Sequence, residues 1–332
     1  MNLIKQIQLP NGRSTANLGF GCAGILRLPT ARRRDYLLRT AVEEGITHFD
    51  VARMYGLGAA EGIVSSSLKS SGDRITLATK FGLPCASPTR SSLKIQSLGR
   101  WVLNWSPSLK SKLKKFASKG IVSTHQPVRP NNYSLDELEK SLNMSLHQLQ
   151  TDRVDILFLH EPGIHDFVPE NMGEALQQKK TSGKIGAFGV SAGRAELEHF
   201  LKTRPDICGE AIQYQHSILK AGADGDPLYH AFSGMFGIMN EALPLLCAHL
   251  SENKSFTKAW SNKLGIELES RENVGIIILA IALALNPQGL VLFSTSNPQR
   301  LRQIVRRLTD NSFSEENLLE FRRTLIQGIH AN

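Results

Sequence analysis

Short runs of apolar residues alternate with stretches of helical periodicity along most of this chain. Five of the runs predict β-strands, at Ile46–Asp50, Ile75–Lys80, Val154–His160, Ile185–Ser191 and Leu290–Ser294. Each run is followed by residues whose apolar positions recur with the period of an α-helix. Such alternation is typical of parallel strands joined by right-handed crossovers. The pattern predicts an α/β protein and leaves open whether the sheet is a closed barrel or an open, doubly wound sheet.

Length and composition favour one large domain. The chain has 332 residues, 41% of them hydrophobic, which is enough to bury a sizeable core within a single domain spanning residues 1–332. The longest apolar run, Val274–Leu285, is shorter than the roughly 20 residues of a membrane-spanning helix, so it predicts a buried helix. No secretory signal is evident at the start. Four cysteines lie far apart, which favours neither a disulfide framework nor a zinc ribbon, and a cytoplasmic location is expected.

Four protonatable side chains stand out in three short segments. Asp50 and Tyr55 lie in HFDVARMYG, Lys80 lies in LATKFG, and His160 lies in LFLHEP. A lysine cation beside a phenol favours the phenolate, so Lys80 is expected to bring the pKa of Tyr55 down from about 10. Asp50 would keep that lysine charged, and a neutral His160 could hydrogen-bond a substrate oxygen. Together these groups suit a carbonyl whose oxygen is protonated while a hydride arrives at its carbon.

Each of these side chains also has a structural interpretation, because a buried Asp or His near a strand end commonly serves only the fold. Three of the four lie at or just after the end of an apolar strand-like run, and Tyr55 follows shortly after one of them. Parallel α/β proteins concentrate their chemistry at the carboxyl ends of their strands. Their joint position therefore favours an active site.

The order and setting of Asp50, Tyr55, Lys80 and His160 resemble the catalytic tetrad of the aldo-keto reductases. Flanking segments that resemble the family are LGFGCAGI, AVEEGITHFDVARMYG, LDELEKSLNMSLHQLQTDRVDILFLHEP, GKIGAFGVS, AIQYQ and VLFSTSNPQRLRQIV, and they cover nearly the whole chain. The resemblance implies a (β/α)8 TIM barrel of the α/β class. It also implies that the Pro-Asn-Gly turn near the start belongs to an N-terminal β-hairpin that closes the amino end of the barrel.

The same resemblance implies a reaction. The expected function is an NADP-dependent oxidoreductase that reversibly reduces an aldehyde or ketone to an alcohol, with the hydride from the nicotinamide and the proton from Tyr55. NADP(H) is favoured over NAD(H), and the partner is a small-molecule carbonyl substrate. A different class of function is a catalytically weak relative that binds NADP(H) and serves as a sensor or scaffold subunit. The complete tetrad favours the enzyme.

Three residues are implied as contacts of the nicotinamide. By resemblance, Ser191 and Gln213 would hold its carboxamide, and Phe232 would place an aromatic ring against it. A different dinucleotide site is suggested by the G-x-G-x-x-G pattern at residues 19–24, which is also found in Rossmann folds. The acidic residue expected about 20 positions later in a Rossmann site is missing, since a basic stretch begins at residues 32–34. The sequence therefore favours the aldo-keto reductase site.

A second group of cofactor contacts is predicted where the last apolar run ends. The segment beginning at Ser294 closes a strand and opens a helix, and the backbone N–H groups at a helix start can bind an anion. An arginine at such a place can hold a phosphate through two hydrogen bonds. By resemblance, Thr295 and Arg300 would contact the adenosine phosphate of NADP, with Ser294 beside them. An ordinary helix cap with a surface arginine is the alternative.

The most unusual part of the chain is a long basic insertion at residues 83–135, after the strand that carries Lys80, the third strand of the expected barrel. It contains nine Lys and Arg residues and no Asp or Glu. Because the whole chain has 39 basic and 30 acidic residues, a net charge of +9, the remainder is formally neutral. In a barrel, this insertion would rise beside the mouth of the active site.

Three interpretations compete for this insertion. It could be a helical lid packed on the barrel, it could recognise an acidic substrate, or it could contact an anionic membrane surface through residues 94–119. No nucleic-acid binding is expected, because no recognised motif accompanies the charge. No group of residues has metal-ligand spacing, so no metal is expected. A second divergent region, residues 216–272, would share with the insertion the shaping of the substrate pocket.

Overall fold

The computed structural model describes residues 2–85, 131–220, 232–310 and 313–330. Eight parallel strands form a closed barrel with the order β10-β3-β4-β5-β6-β7-β8-β9. The barrel strands are β3 Leu18–Gly21, β4 His48–Asp50, β5 Thr76–Phe81, β6 Val154–His160, β7 Ile185–Ala192, β8 Ala211–Gln215, β9 Phe232–Phe236 and β10 Leu290–Phe293. The predicted (β/α)8 barrel is confirmed.

Helices follow the barrel strands and pack outside them. The helices are α1 Ala31–Glu43, α2 Ala60–Leu68, α3 Leu135–Leu149, α4 Met172–Thr181, α5 Arg194–Thr203, α6 Pro205–Cys208, α7 Ala242–Glu252, α8 Lys254–Leu264, α9 Arg271–Leu285, α10 Pro298–Thr309 and α11 Glu315–His330. The predicted buried helix is α9, in which every residue from 274 to 284 is buried. In the described part of the chain, no helix is long and apolar enough to cross a membrane.

An N-terminal hairpin covers the amino end of the barrel, as expected. Its antiparallel strands are β1 Gln6–Gln8 and β2 Ser14–Ala16. Ile7 and Leu9 are buried in a cluster with side chains from the amino-terminal parts of the barrel strands. The Arg13 guanidinium lies 2.8 Å from a carboxylate oxygen of Asp155 on β6, and this ion pair ties the hairpin to the barrel wall. Burial of apolar side chains and this pair together fix the hairpin in place.

The basic insertion lies mostly outside the described residues. Its first residues, up to Cys85, and its last residues, from Asn131, are described, whereas residues 86–130 are not. The predicted lid, the acidic-substrate site and the membrane-contact residues 94–119 all fall in that undescribed part. Within the second divergent region, residues 221–231 are also undescribed, and the remainder contributes β9, α7 and α8.

Candidate active site

The four predicted catalytic residues lie together at the carboxyl end of the barrel. Asp50 is the last residue of β4, Lys80 is the fifth of the six residues of β5, and His160 is the last residue of β6. Tyr55 opens a short 3-10 turn, Tyr55–Gly58, that follows β4. The backbone between β4 and this turn stays hydrogen-bonded to β5, because the Val51 N–H donates to the Ala78 carbonyl. The sheet thus fixes the distance between Tyr55 and Lys80.

The Lys80 ammonium group contacts two of the other three residues, Asp50 and Tyr55. Its Nζ lies 2.5 Å from Asp50 Oδ1, 3.1 Å from the Val51 carbonyl oxygen and 3.3 Å from Tyr55 Oη. The Lys80 side chain is 1% exposed. An ammonium group has three N–H donors, so these three partners satisfy it completely in a buried setting.

Burial and charge shift the protonation of these groups in opposing ways. Burial alone lowers the pKa of Lys80, but the nearby Asp50 carboxylate and the Tyr55 phenol outweigh it, and the net pKa is raised. Burial raises the pKa of Tyr55, and the Lys80 cation opposes this rise without cancelling it. The expectation that Lys80 would bring the pKa of Tyr55 below its ordinary value is therefore not met in this structure. Tyr55 is protonated at neutral pH, and Lys80 is a cation.

His160 is neutral and faces the tyrosine. Burial, followed by the Lys80 cation, lowers the pKa of His160 to about 3. Its ring lies edge-on to the Tyr55 ring, with 5.6 Å between the centroids. Its backbone carbonyl accepts a hydrogen bond of 2.7 Å from the Tyr133 hydroxyl. A neutral imidazole can donate one hydrogen bond to a substrate oxygen without bringing a second positive charge into the site.

A chain of hydrogen bonds links the tetrad to two predicted cofactor residues. Ser191 on β7 and Gln213 on β8 occupy paired positions on neighbouring strands. The Ser191 hydroxyl donates to Gln213 Oε1 at 2.6 Å, and Gln213 Nε2 donates to Asp50 Oδ2 at 2.7 Å. Hydroxyl and amide groups can each donate and accept, which is what binding of a carboxamide requires. The residues present therefore fit the nicotinamide end of the expected cofactor.

These groups open into a cavity of about 400 Å³. Besides Asp50, Tyr55, His160, Ser191 and Gln213, its lining includes Arg27, Glu161, Phe236, Asn240 and Ser294. Sequence reasoning missed Arg27, Glu161, Phe236 and Asn240. Only Glu161, next to His160 in the sequence, carried a signal that could have found it.

One predicted cofactor residue lies at the wrong end of the barrel. Phe232 is the first residue of β9, and it packs against the cluster beneath the N-terminal hairpin. The prediction that its ring contacts the nicotinamide is therefore wrong. Phe236, the last residue of the same strand, lines the cavity instead. The two aromatic residues lie four positions apart, so they share a face of the strand but occupy its opposite ends.

The predicted phosphate contacts have local partners in this structure. Ser294 lines the cavity, and the Thr295 hydroxyl accepts a hydrogen bond from the backbone N–H of Asn297. The Arg300 guanidinium lies 2.5 Å from a carboxylate oxygen of Glu272, and both side chains are about half exposed. Asn297 caps α10 by accepting from two backbone N–H groups, so the predicted start of this helix is confirmed. The phosphate role of Thr295 and Arg300 stays a prediction.

No metal centre is found in the part of the chain that the structure describes. Across residues 2–85, 131–220, 232–310 and 313–330, no three His, Cys, Asp or Glu side chains converge on a point that could hold a metal ion. The buried carboxylate of the site, Asp50, is already bonded to Lys80 and Gln213. The site thus combines a phenol beside a lysine cation with a hydrogen-bonded serine and glutamine pair.

Residues 17–225 match the model of the aldo/keto reductase family. The chain belongs to this family. It is 28% identical over 179 residues to an NADP(+) aldo-keto reductase of Schizosaccharomyces pombe, a match that covers 52% of this chain and 42% of that protein. The chain thus spans less than half the length of this relative, and the same holds for two Bacillus subtilis relatives, at 41% and 35%.

Two solved structures show how far the fold is shared. The glycerol dehydrogenase of Gluconobacter oxydans superposes with a TM-score of 0.69 at 18% identity, over 100% of this chain and 96% of that one. An aldo-keto reductase of Klebsiella pneumoniae, solved in complex with NADPH, gives a TM-score of 0.64 at 18% identity, over 97% and 95%. At 18% identity, these superpositions show that the three chains share a barrel fold.

Proposed function

We propose that this protein is an NADP-dependent oxidoreductase that reversibly reduces an aldehyde or ketone to an alcohol. The observation that carries the proposal is one cluster: Tyr55 Oη lies 3.3 Å from Lys80 Nζ, which in turn lies 2.5 Å from Asp50. The phenol opens into the same cavity as the neutral His160 imidazole. A proton donor, a cation beside it and a neutral hydrogen-bond donor are the groups that carbonyl reduction needs.

The proposed mechanism assigns one role to each member of the tetrad. A bound nicotinamide cofactor supplies the hydride, which no side chain can provide. The raised pKa of Tyr55 keeps its hydroxyl protonated and ready to donate to the carbonyl oxygen. The Lys80 cation stabilises the phenolate that remains, and the Asp50 carboxylate holds Lys80 in its charged form. His160 donates a hydrogen bond that orients the substrate oxygen. In the reverse direction, the Tyr55 phenolate accepts the proton.

Several residues would hold the cofactor. Ser191 and Gln213 hydrogen-bond each other in the structure and would exchange this bond for contacts with the carboxamide. Phe236 takes the place first assigned to Phe232 as the aromatic residue beside the nicotinamide. Thr295 and Arg300 remain the proposed contacts of the adenosine phosphate. The choice of NADP is supported by the name of the Schizosaccharomyces pombe relative and by the NADPH complex of the Klebsiella pneumoniae protein.

The test of the reaction is NADPH consumption with a panel of small aldehydes and ketones. We expect NADPH oxidation that depends on both the protein and the carbonyl compound, together with formation of the alcohol. A protein that binds NADPH tightly yet consumes none with any compound would contradict the proposal. Such a result would favour the alternative of a sensor or scaffold subunit.

The cofactor preference has its own test at Arg300. We expect Arg300→Gln to weaken NADPH binding and to leave NADH binding unchanged, because only NADPH carries the adenosine phosphate. Glu272→Gln is the matched variant: it removes the carboxylate that now pairs with Arg300, so NADPH binding should tighten, by up to about fivefold for a half-exposed pair. Cofactor titration gives the affinity of each variant for NADPH and for NADH. If each variant changes both affinities by the same factor, Arg300 does not contact the adenosine phosphate.

A further inference from the structure

Arg27 is a cation at the mouth of the candidate site, and its side chain has no partner among the described residues. Arg27 ends the 3-10 turn Ile25–Arg27 in the loop after β3, and it lines the cavity that contains Tyr55 and His160. It is exposed, and over the described ranges it forms no ion pair and no side-chain hydrogen bond. The two charged members of the tetrad, Lys80 and Asp50, are bonded to each other. Arg27 is therefore available to a ligand in a way that those groups are not.

The surroundings make this the positive side of the mouth. Two further arginines, Arg32 and Arg33, are exposed at the amino end of α1, which follows the same loop, and neither has an ion pair among the described residues. On the neighbouring β10 side, the charge of Arg300 is balanced by Glu272. The remaining acid of the cavity, Glu161, follows β6, which lies three strands away from β3 around the barrel. The electric field across the mouth therefore points from Arg27 toward Glu161, and it draws an anion toward Arg27.

We propose that Arg27 recognises an anionic group, a carboxylate or a phosphate, on the carbonyl substrate. This inference rests on the function proposed above and names its substrate class. A substrate with its carbonyl between Tyr55 and His160 can place an attached anion toward the β3 side of the cavity, away from Glu161. A guanidinium binds carboxylates and phosphates through two parallel hydrogen bonds, which supplies both affinity and orientation.

The first experiment compares matched neutral and anionic aldehydes. Benzaldehyde is paired with its para-carboxylate, and glyceraldehyde with glyceraldehyde phosphate, so that carboxylate and phosphate are tested separately. For the wild-type protein, kcat/KM should favour the anionic member of at least one pair. In Arg27→Gln, this preference should fall about tenfold, equivalent to about 1.4 kcal/mol, while kcat/KM for the neutral aldehyde stays unchanged. The ratio within a pair does not depend on the fraction of active protein.

Two control variants separate a local contact from a general charge effect. Arg27→Lys keeps the charge and should restore part of the preference. Arg33→Gln removes the same charge from outside the cavity and should leave the preference intact. An equal loss for neutral and anionic aldehydes in Arg27→Gln would overturn the proposal, and so would an Arg33→Gln effect as large as that of Arg27→Gln.

The cofactor is also an anion, so its binding must be measured in parallel. If Arg27→Gln raises the KM for NADPH and leaves the aldehyde preference unchanged, Arg27 binds the cofactor and the substrate proposal is wrong. Wild-type turnover of neutral aldehydes without any preference for their anionic partners would overturn this inference and keep the proposed reductase function. Absence of turnover with every aldehyde would contradict both the inference about Arg27 and the proposed reductase function.

Discussion

At the residue scale, burial sets the protonation states of the candidate site. Lys80 is 1% exposed and stays a cation because Asp50 and Tyr55 surround its ammonium group. His160 stays neutral because burial lowers its pKa to about 3. Tyr55 keeps its proton because the effect of burial exceeds that of the Lys80 cation. At neutral pH, Tyr55 therefore carries the proton that the proposed reduction would transfer to the substrate.

A second buried histidine predicts how stability depends on pH. His48 lies in β4 two residues before Asp50; its Nδ1 is 2.9 Å from Thr76 Oγ1, and its buried Nε2 has no partner among the described residues. Burial lowers the pKa of His48 from 6.5 to about 4. Between these values the unfolded chain binds a proton that the folded protein does not, so stability falls as the pH falls. At about pH 5, the buried His48 lowers the free energy of unfolding by about 2 kcal/mol relative to its value at neutral pH.

The measurement is urea unfolding near pH 7 and near pH 5, on the wild type and on His48→Gln. The wild type should lose stability at the lower pH, with His160 contributing in the same direction. His48→Gln should lose about 2 kcal/mol less over the same interval. An unchanged pH dependence in His48→Gln would show that His48 is not the source.

At the element scale, the contact between the residue after β5 and the segment just before α3 depends on one glycine. Gly82 has a φ of +110°, and a Cβ added there would lie 2.0 Å from a ring atom of Tyr133. The Tyr133 ring lies beside that of Phe81, and the Tyr133 hydroxyl donates a hydrogen bond to the backbone carbonyl of His160. Contact of the Tyr133 ring with the backbone at Gly82 thus helps to place His160, a proposed catalytic residue, on the next strand.

We predict that Gly82→Ala is much more destabilising than Gly12→Ala. Gly12 also has a positive φ, of +80°, but nothing lies within 4 Å of a Cβ placed there. Gly12→Ala should therefore cost only the backbone strain, about 1–2 kcal/mol, whereas Gly82→Ala adds a severe clash with a buried ring. Denaturant unfolding of the two variants gives the comparison. Equal losses of stability would contradict the account of Gly82.

The sequence predicted some elements well and others poorly, for identifiable reasons. The seven residues of β6 are all buried, so the run Val154–His160 had clear ends. Three barrel strands, β3, β8 and β9, were not among the five predicted runs, because glycine or polar residues interrupt their apolar pattern. The error at Phe232 has the same origin. Without the bounds of β9, sequence alternation cannot distinguish the two ends of one strand face.

Contacts between distant residues account for most of what the sequence left out of the site. Arg27, Phe236 and Asn240 line the cavity because their loops converge at one end of the barrel, and local sequence does not encode this convergence. The Arg300–Glu272 pair joins α10 to the start of α9. The tetrad could be predicted because each member lies at or near the end of a recognisable strand.

At the scale of the whole molecule, the N-terminal hairpin and the candidate active site lie at opposite ends of the barrel. The N-terminal hairpin buries Ile7 and Leu9 at the amino end, and the tetrad lies at the carboxyl end. Closure of the barrel depends on pairings between residues far apart in the chain, such as Phe293 with Phe20. Strand periodicity could not predict that closure, which is why family resemblance was needed to choose between a barrel and an open sheet.

This separation predicts the behaviour of Leu9→Ala. Leu9 is 2% exposed, so the substitution should leave a cavity and cost about 2–5 kcal/mol of unfolding free energy. Because the hairpin touches the amino end alone, kcat measured well below the unfolding temperature should stay at the wild-type value. A fall in kcat for the folded variant would show that the two ends of the barrel are coupled.

The central claim is that Tyr55 gives the proton to the carbonyl oxygen, and Tyr55→Phe tests it most directly. The measurement is single-turnover NADPH oxidation with saturating aldehyde, alongside NADPH titration. Tyr36→Phe, which removes an exposed hydroxyl that accepts from Arg302, is the control. We predict that Tyr55→Phe slows hydride transfer by at least about a hundredfold and leaves NADPH affinity intact, while Tyr36→Phe retains the wild-type rate. A wild-type rate in Tyr55→Phe would contradict the account.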